Sequence, residues 1–264
     1  MKRSTWWAWL WVLIGAAYFL VPLAATLDFS LRARKGVLSL LAYSNVLNDP
    51  DFAHTFSFSM EMAALTIVVG LVLVVPTAYW VRLRLPQVRP LIEFITLLPF
   101  VVPAIVLVFG LIRVYSAPPL ALTNSAASTN GLLVGAYVML SLPYMYRSVD
   151  TGLMAMDVRT LTEAAQSMGA GWPVILLRVI FPNLRVALLS GAFLTFAIVI
   201  GELTIAQYLA RPAFGPYMWL LGQNRAYEPA ALAIISFALT WACIGVIQLL
   251  GRGAPGQGQL GGTR

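Results

Sequence analysis

Cysteine and histidine each occur once in this chain of 264 residues, as Cys243 and His54. A disulfide needs two thiols and a zinc site three or four protein ligands, so the chain can build neither by itself. Its only lysines are Lys2 and Lys35, and neither sits in the Gly-Lys-Ser/Thr ending of a phosphate-binding loop. ATP hydrolysis by that device is excluded. Charge is scarce as well: charged residues make up 10% of the chain and apolar residues 60%. Soluble domains carry roughly 25% and 45–50%. A soluble fold would have nowhere to hide so much apolar surface, and a large soluble catalytic domain is ruled out. A membrane-embedded enzyme needs His, Asp, Glu or Ser clustered on one cavity; one histidine and scattered carboxylates argue against it. The net charge of +7 comes from basic residues spread along the chain, mostly beside apolar runs. That is a membrane-topology pattern and not a phosphate-tracking patch, so no nucleic-acid partner is expected.

Long apolar runs are what the sequence has in abundance, at about 6–27, 58–81, 91–115, 131–149, 186–209 and 229–250. Each is near the roughly 20 residues that cross a bilayer as a helix. Backbone groups in hydrocarbon must be paired within the segment, and the runs lack the alternation of barrel strands. The first run exceeds the apolar core of a signal peptide and reads as an uncleaved helix. The expected fold is an all-α integral membrane protein of about six transmembrane helices. Residues 1–250 form one transmembrane domain and residues 251–264 a flexible, glycine-rich tail.

Orientation follows from the basic residues. With the N-terminus inside, Lys2, Arg3, Arg82, Arg84, Arg89, Arg147, Arg159, Arg178, Arg185, Arg252 and Arg264 are cytoplasmic. Arg32, Arg34, Lys35, Arg211 and Arg225 then lie outside, with Arg113 near a helix end. Both termini are expected in the cytoplasm; the Arg32–Lys35 cluster is the one feature against it. The 28–57 segment has room for a small amphipathic piece on the outer surface. No internal repeat is evident.

The largest polar stretch, residues 147–185, is then cytoplasmic. Loops of that length are functional or disordered, and this one has the composition of helix. Residues 157–168 place Leu161, Ala164, Ala165 and Met168 on one face, with Thr160 and Glu163 at capping-box spacing. Gly169 supplies a stop that calls for positive φ. Pro173 opens a second helix and Pro182 ends it before the fifth span. Helix, glycine turn, helix is the pattern. Physically it fits either a docked partner or an interfacial helix resting on lipid.

Glu163-Ala164-Ala165, three residues, Gly169, nine residues, Val179, one residue, Phe181-Pro182 resembles the EAA motif of membrane subunits of binding-protein-dependent ABC importers. Val179 and Phe181 stand where that motif has Ile and Leu. Leu98-Pro99 through Pro103, Leu142-Pro143 through Arg147, and Gly201-Glu202 also look like this family, and the whole is most similar to polyamine-type permeases and their iron, sulfate, thiamine and aminophosphonate relatives. The resemblance implies the type I importer permease fold in a bacterial inner membrane. It implies a second permease chain, identical or related, two cytoplasmic ABC ATPase subunits that bind ATP and Mg, and an extracytoplasmic solute-binding protein. No cofactor is expected on this chain. Glu163, Ala164, Ala165, Gly169 and Pro182 become the residues expected to couple to the ATPase.

For the pathway the residues say less. Glu202 lies in an apolar run, where a carboxylate costs about 2.5–3.5 kcal/mol on insertion scales. It is expected to face the pathway and attract a cation, or else to be a helix-end carboxylate paired with Arg113 or Arg211. Gln207 and Tyr208 would share its outward mouth. Pro99 and Pro103 would either border a cavity or hinge or simply kink a helix for packing. Gly131 and Gly135 have the spacing for close helix contact. The favoured solute is a polyamine; iron, an oxyanion or a phosphonate fits the same resemblance. The alternative is a carrier driven by an ion or proton gradient, which would work without an ATPase.

Overall fold

The computed structural model describes residues 5–34 and 36–251. The expectations for Lys2, Arg3, Lys35, Arg252, Arg264 and the rest of the tail lie outside these residues. The described chain is almost wholly helical; its only β feature is one isolated bridge between Arg34 and Val37. In order the helices are α1 (Thr5–Ser30), α2 (Leu41–Leu47), α3 (Pro50–Leu83), α4 (Arg89–Val101), α5 (Ala104–Tyr115), α6 (Ala126–Met154) and α7 (Val158–Ser167). They continue with α8 (Trp172–Val174), a π-helical turn over Ile175–Ile180, α9 (Phe181–Gly201), α10 (Thr204–Tyr208), α11 (Phe214–Asn224) and α12 (Glu228–Gly251). Four of the six apolar runs each lie within one long helix; 91–115 is divided between α4 and α5, and 186–209 between α9 and α10.

By length and apolarity, α1, α3 and the continuous helix Trp172–Gly201 each suffice to cross a membrane among the described residues, and α4 and α5 reach the same measure only as a bent pair. The expected straight span over 91–115 is therefore corrected to a pair turned by 101°. Pro103 is the cause. It has no N–H for the helix ladder and drives the residue before it out of helix; Val102 is extended at φ −89 and ψ 112. Pro99 sits inside α4 and breaks nothing.

α6 packs against both α3 and α9 at the centre of the bundle. One half of the core joins Met62, Leu133, Tyr137, Val199 and Ile205. The other joins Val75, Tyr79, Val149, Leu153, Ile180 and Leu184. Close approach depends on two glycines: a Cβ on Gly152 would stand 2.6 Å from Ala187 Cβ, and one on Gly191 would stand 2.7 Å from Met145 Sδ. Gly131 and Gly135 have nothing within 4 Å of that position, so their spacing does not mark a close contact within the chain. α1 lies against α12 and leaves Trp6, Trp7, Trp9 and Trp11 exposed, as interfacial anchors would be.

Two further boundaries differ from expectation. The 147–185 segment is shorter than a loop of that span, because α6 stays helical to Met154 with Val149 and Leu153 fully buried. The second helix of that segment does not end at Pro182. It runs through the proline into α9. The π turn just before Pro182 rearranges the hydrogen-bond ladder where the proline supplies no N–H.

Candidate functional site

α7 joins the cytoplasmic ends of α6 and α9 under the expected orientation, and its two faces do different work. Val158, Thr162 and Ala165, spaced by four and three residues, are buried against the bundle. The Thr162 hydroxyl donates to the Val158 carbonyl at 2.7 Å, so the Tyr79 hydroxyl, 2.8 Å away, donates to Thr162. Beside this contact the rings of Trp80 and Trp172 lie 4.5 Å apart, centre to centre. The Arg84 guanidinium sits 5.5 Å from one ring and 5.3 Å from the other, a cation–π clamp. α7 is thereby fixed to the end of α3 and to the first turn of the helix that becomes α9.

The opposite face is open. Arg159, Glu163, Ala164, Gln166, Ser167 and Met168 are all exposed, Met168 by 82%. The expected apolar stripe of Leu161, Ala164, Ala165 and Met168 is therefore split: Ala165 turns inward, Leu161 is half-buried, and Ala164 and Met168 face out. Glu163 pairs with Arg159 at 2.8 Å, and both are highly exposed. The capping box at Thr160 and Glu163 is not formed. The cap is Asp157, whose carboxylate accepts from the Thr160 amide at 3.1 Å and its hydroxyl at 2.7 Å. Those bonds hold the Asp157 carboxyl below its usual pKa. Gly169 closes α7 at φ +79, the positive φ expected of it. Pro182 is exposed on the helix that follows the turn.

Next to α7, Asp150 ties three helix ends together. It receives Arg89 from α4 at 3.0 Å and Arg82 from α3 at 3.6 Å, and Arg89 also holds Glu93 at 2.8 Å. In the sequence these arginines mark only orientation, and Asp150 carries no expectation. A carboxylate at the polar end of an apolar run, opposite arginines on two neighbouring runs, was the available signal.

The other end of α6 carries the residues expected near the pathway. α9 stops at Gly201, and Glu202 is 9% exposed. Its two carboxylate oxygens accept from the amides of Ile205 at 2.8 Å and Ala206 at 3.2 Å. Glu202 thus caps α10 with its own side chain. Neither Arg113 nor Arg211 forms an ion pair with it among the described residues. α10 closes through Ala210, at φ +52, and the Arg211 amide returns to the Ala206 carbonyl at 2.9 Å. Tyr208 and Arg211 line one cavity, while Gln207 is exposed beside it. Gly215 packs directly on the Glu202 backbone, with no room for a Cβ. Pro103 stands at the α4–α5 corner and Pro99 within α4, so the structure does not gather the five expected pathway residues at one place.

Residues 67–250 match the family of binding-protein-dependent transport system inner membrane components. The chain belongs to this family. It is 29% identical over 204 residues to a probable ABC transporter permease protein of Sinorhizobium fredii, covering 74% of this chain but 36% of that protein. The chain thus spans about a third of that longer relative. It is 25% identical to a spermidine/putrescine transport system permease protein of Haemophilus influenzae, over 73% of this chain and 72% of the relative. It is 30% identical to a probable molybdenum ABC transporter permease protein of Haloferax volcanii, over 69% and 70%. Its fold resembles a chain of a bacterial ABC transporter involved in the import of alginate, with a TM-score of 0.70, 14% identity and coverage of 95% and 96%.

Proposed function

We propose that this chain is the permease subunit of an ATP-driven importer in a bacterial inner membrane, and that α7 is its coupling element. One observation carries this reading: α7 is fixed to α3 and α9 on one side and presents a small-residue, apolar-edged face on the other. A helix resting on lipid would bury its apolar residues outward and leave its polar ones to water; here Met168, Ala164, Glu163 and Gln166 share the outward side. A partner groove can take the Met168 side chain, and the small Ala164 lets it approach closely. The clamp of Tyr79, Trp80, Arg84 and Trp172 then passes the motion of the partner to α3, and the helix through Pro182 passes it to α9.

The partners follow from this reading. Two cytoplasmic ATPase subunits bind ATP and Mg, a second permease chain completes the pathway, and a binding protein delivers the solute from outside. A polyamine is favoured by the resemblance and by the Haemophilus relative, while the Haloferax relative is named for molybdenum. Glu202 adds less to the polyamine case than its sequence position suggests, because its carboxylate is occupied by two backbone amides.

Ala164→Trp tests the docking. Gly169 is a poorer probe, since any side chain at φ +79 strains the turn. Ala164→Trp should fold and insert normally yet lose the ATPase on purification and lose uptake. Full uptake by this variant rejects the coupling role of α7.

A further inference from the structure

The α10 end of the bundle holds a cavity of about 460 Å³ between α5, the connection before α6, the first turn of α6 and the turn that follows α10. Its lining is polar: Ser116, Thr123, Asn124, Ser125 and Thr129 contribute hydroxyls or an amide. Among the described residues Arg211 is the one charged residue in it, and no carboxylate lines it. The Arg211 side chain has no hydrogen-bond acceptor or ion-pair partner among the described residues, and its Nε is buried without one. Its recorded neighbour is the ring of Phe58, 5.8 Å from the guanidinium carbon. A buried guanidinium N–H without an acceptor costs on the order of 1–3 kcal/mol or more. The left-handed turn at Ala210 holds the arginine in place at a further cost. The N-terminus of α6, with no acidic residue in its first turn, adds positive potential on the same side. Every unsatisfied feature here asks for negative charge.

We propose that this cavity is an oxyanion-binding site, in which the Arg211 guanidinium receives a carboxylate, sulfate, phosphate or related acid group of a small solute. It stands at the far end of α6 from α7, about 40 Å along a 29-residue helix. As a station for imported solute it rests on the permease reading above; as an anion site it does not. It favours an acidic solute over a polyamine, and Glu202, whose oxygens accept from the α10 amides, does not line it. The shared chemistry of a solute anion and a lipid headgroup is the phosphate-like oxyanion, and the two differ in where they come from.

The test uses the full chain in detergent with Cys243→Ser and one new thiol, Ser116→Cys, at the rim of the cavity. The thiol is modified by a negatively and by a positively charged methanethiosulfonate, each normalised to its rate with a free thiol. The anionic reagent should win by about tenfold, and the preference should vanish in Arg211→Gln and return in Arg211→Lys. Sulfate or phosphate in solution should protect the thiol, and spermidine should not. Protection by phosphatidylglycerol vesicles but not by soluble anions would assign the site to a headgroup and overturn the solute role. No charge preference, a preference that survives Arg211→Gln, or protection by spermidine would overturn the site itself. An Arg113→Gln control, altering a cation that does not line the cavity, should behave like the parent. None of these readouts needs an ATPase, so loss of the anion site and loss of the importer reading are separate results.

Discussion

The two ends of α9 are both irregular, and they are irregular in opposite ways. At its start the helix meets a proline and continues, by opening one π turn over Ile175–Ile180. At its end it meets no proline and stops, because Glu202 turns its carboxylate onto the amides of Ile205 and Ala206 and begins a new helix. The first end is held by side-chain packing and leaves a free outer face on α7. The second is held by backbone capping and leaves the Arg211 Nε without an acceptor among the described residues. Under the two proposals above, one helix joins a docking face to a charged cavity and would carry motion from one to the other.

Gly215→Ala strikes the second end hardest. Its methyl group would collide with the Glu202 carbonyl, backbone that cannot swing aside. Overpacking of this kind costs about 1–3 kcal/mol and sometimes more. The variant should lose most of its monodisperse peak in detergent size exclusion, and a normal peak would show that α11 does not seat on Glu202 as described. Glu202→Ala removes both acceptors and should cost about 1–3 kcal/mol, while Glu202→Gln keeps one acceptor and should melt closer to the parent. Transport that falls in Glu202→Gln with unchanged melting would return Glu202 to the pathway.

At the first end, Tyr79→Phe deletes the hydroxyl that donates to Thr162 and should destabilise by about 1 kcal/mol. If the clamp transmits motion, ATP-driven uptake should fall while ATPase co-purification persists; loss of both would make Tyr79 merely structural. Asp157 gives a pH signature. Its folded pKa is lowered by the Thr160 hydroxyl and amide, so its contribution is complete above the unfolded value of about 3.9 and is lost as pH falls through the lower folded value. Pepsin should cleave within α7 faster in Asp157→Ala than in the parent at pH 5, and the gap should narrow toward pH 2. An equal rate at pH 5 would remove Asp157 as the cap. Ala210→Gly should be the mildest change. It relieves φ +52 and should stabilise by about 1 kcal/mol, read as a small rise in melting temperature; a fall would show that the turn is not strained.

The first end was legible in the sequence because its determinants are local. Glu163-Ala164-Ala165 and Gly169 sit at fixed spacing, and a helix stop at positive φ is a property of the glycine itself. What spacing did not reveal was which face turns inward, since that depends on Tyr79 from another helix. The second end was illegible for the same reason reversed. Hydropathy carries the run 186–209 straight through Gly201-Glu202, and nothing in those residues announces that the carboxylate bends back to cap its own chain. In the sequence Arg211 is a topology charge and a candidate mate for Glu202; the fold places it at a polar cavity with no ion pair among the described residues. The bend at Pro103 was signalled by its proline, but Pro99, four residues earlier, carries the same signal and bends nothing.

The coupling proposal stands or falls on whether the outer face of α7 docks a separate ATPase. The direct measurement is a mild-detergent pull-down of the wild-type chain and of Ala164→Trp from native membranes, with every co-purifying protein identified. A P-loop ATPase and a second permease chain should come down with the wild type, and the second chain without the ATPase with Ala164→Trp. Equal recovery of the ATPase with both, or its absence from both under conditions that preserve the permease pair, would contradict it.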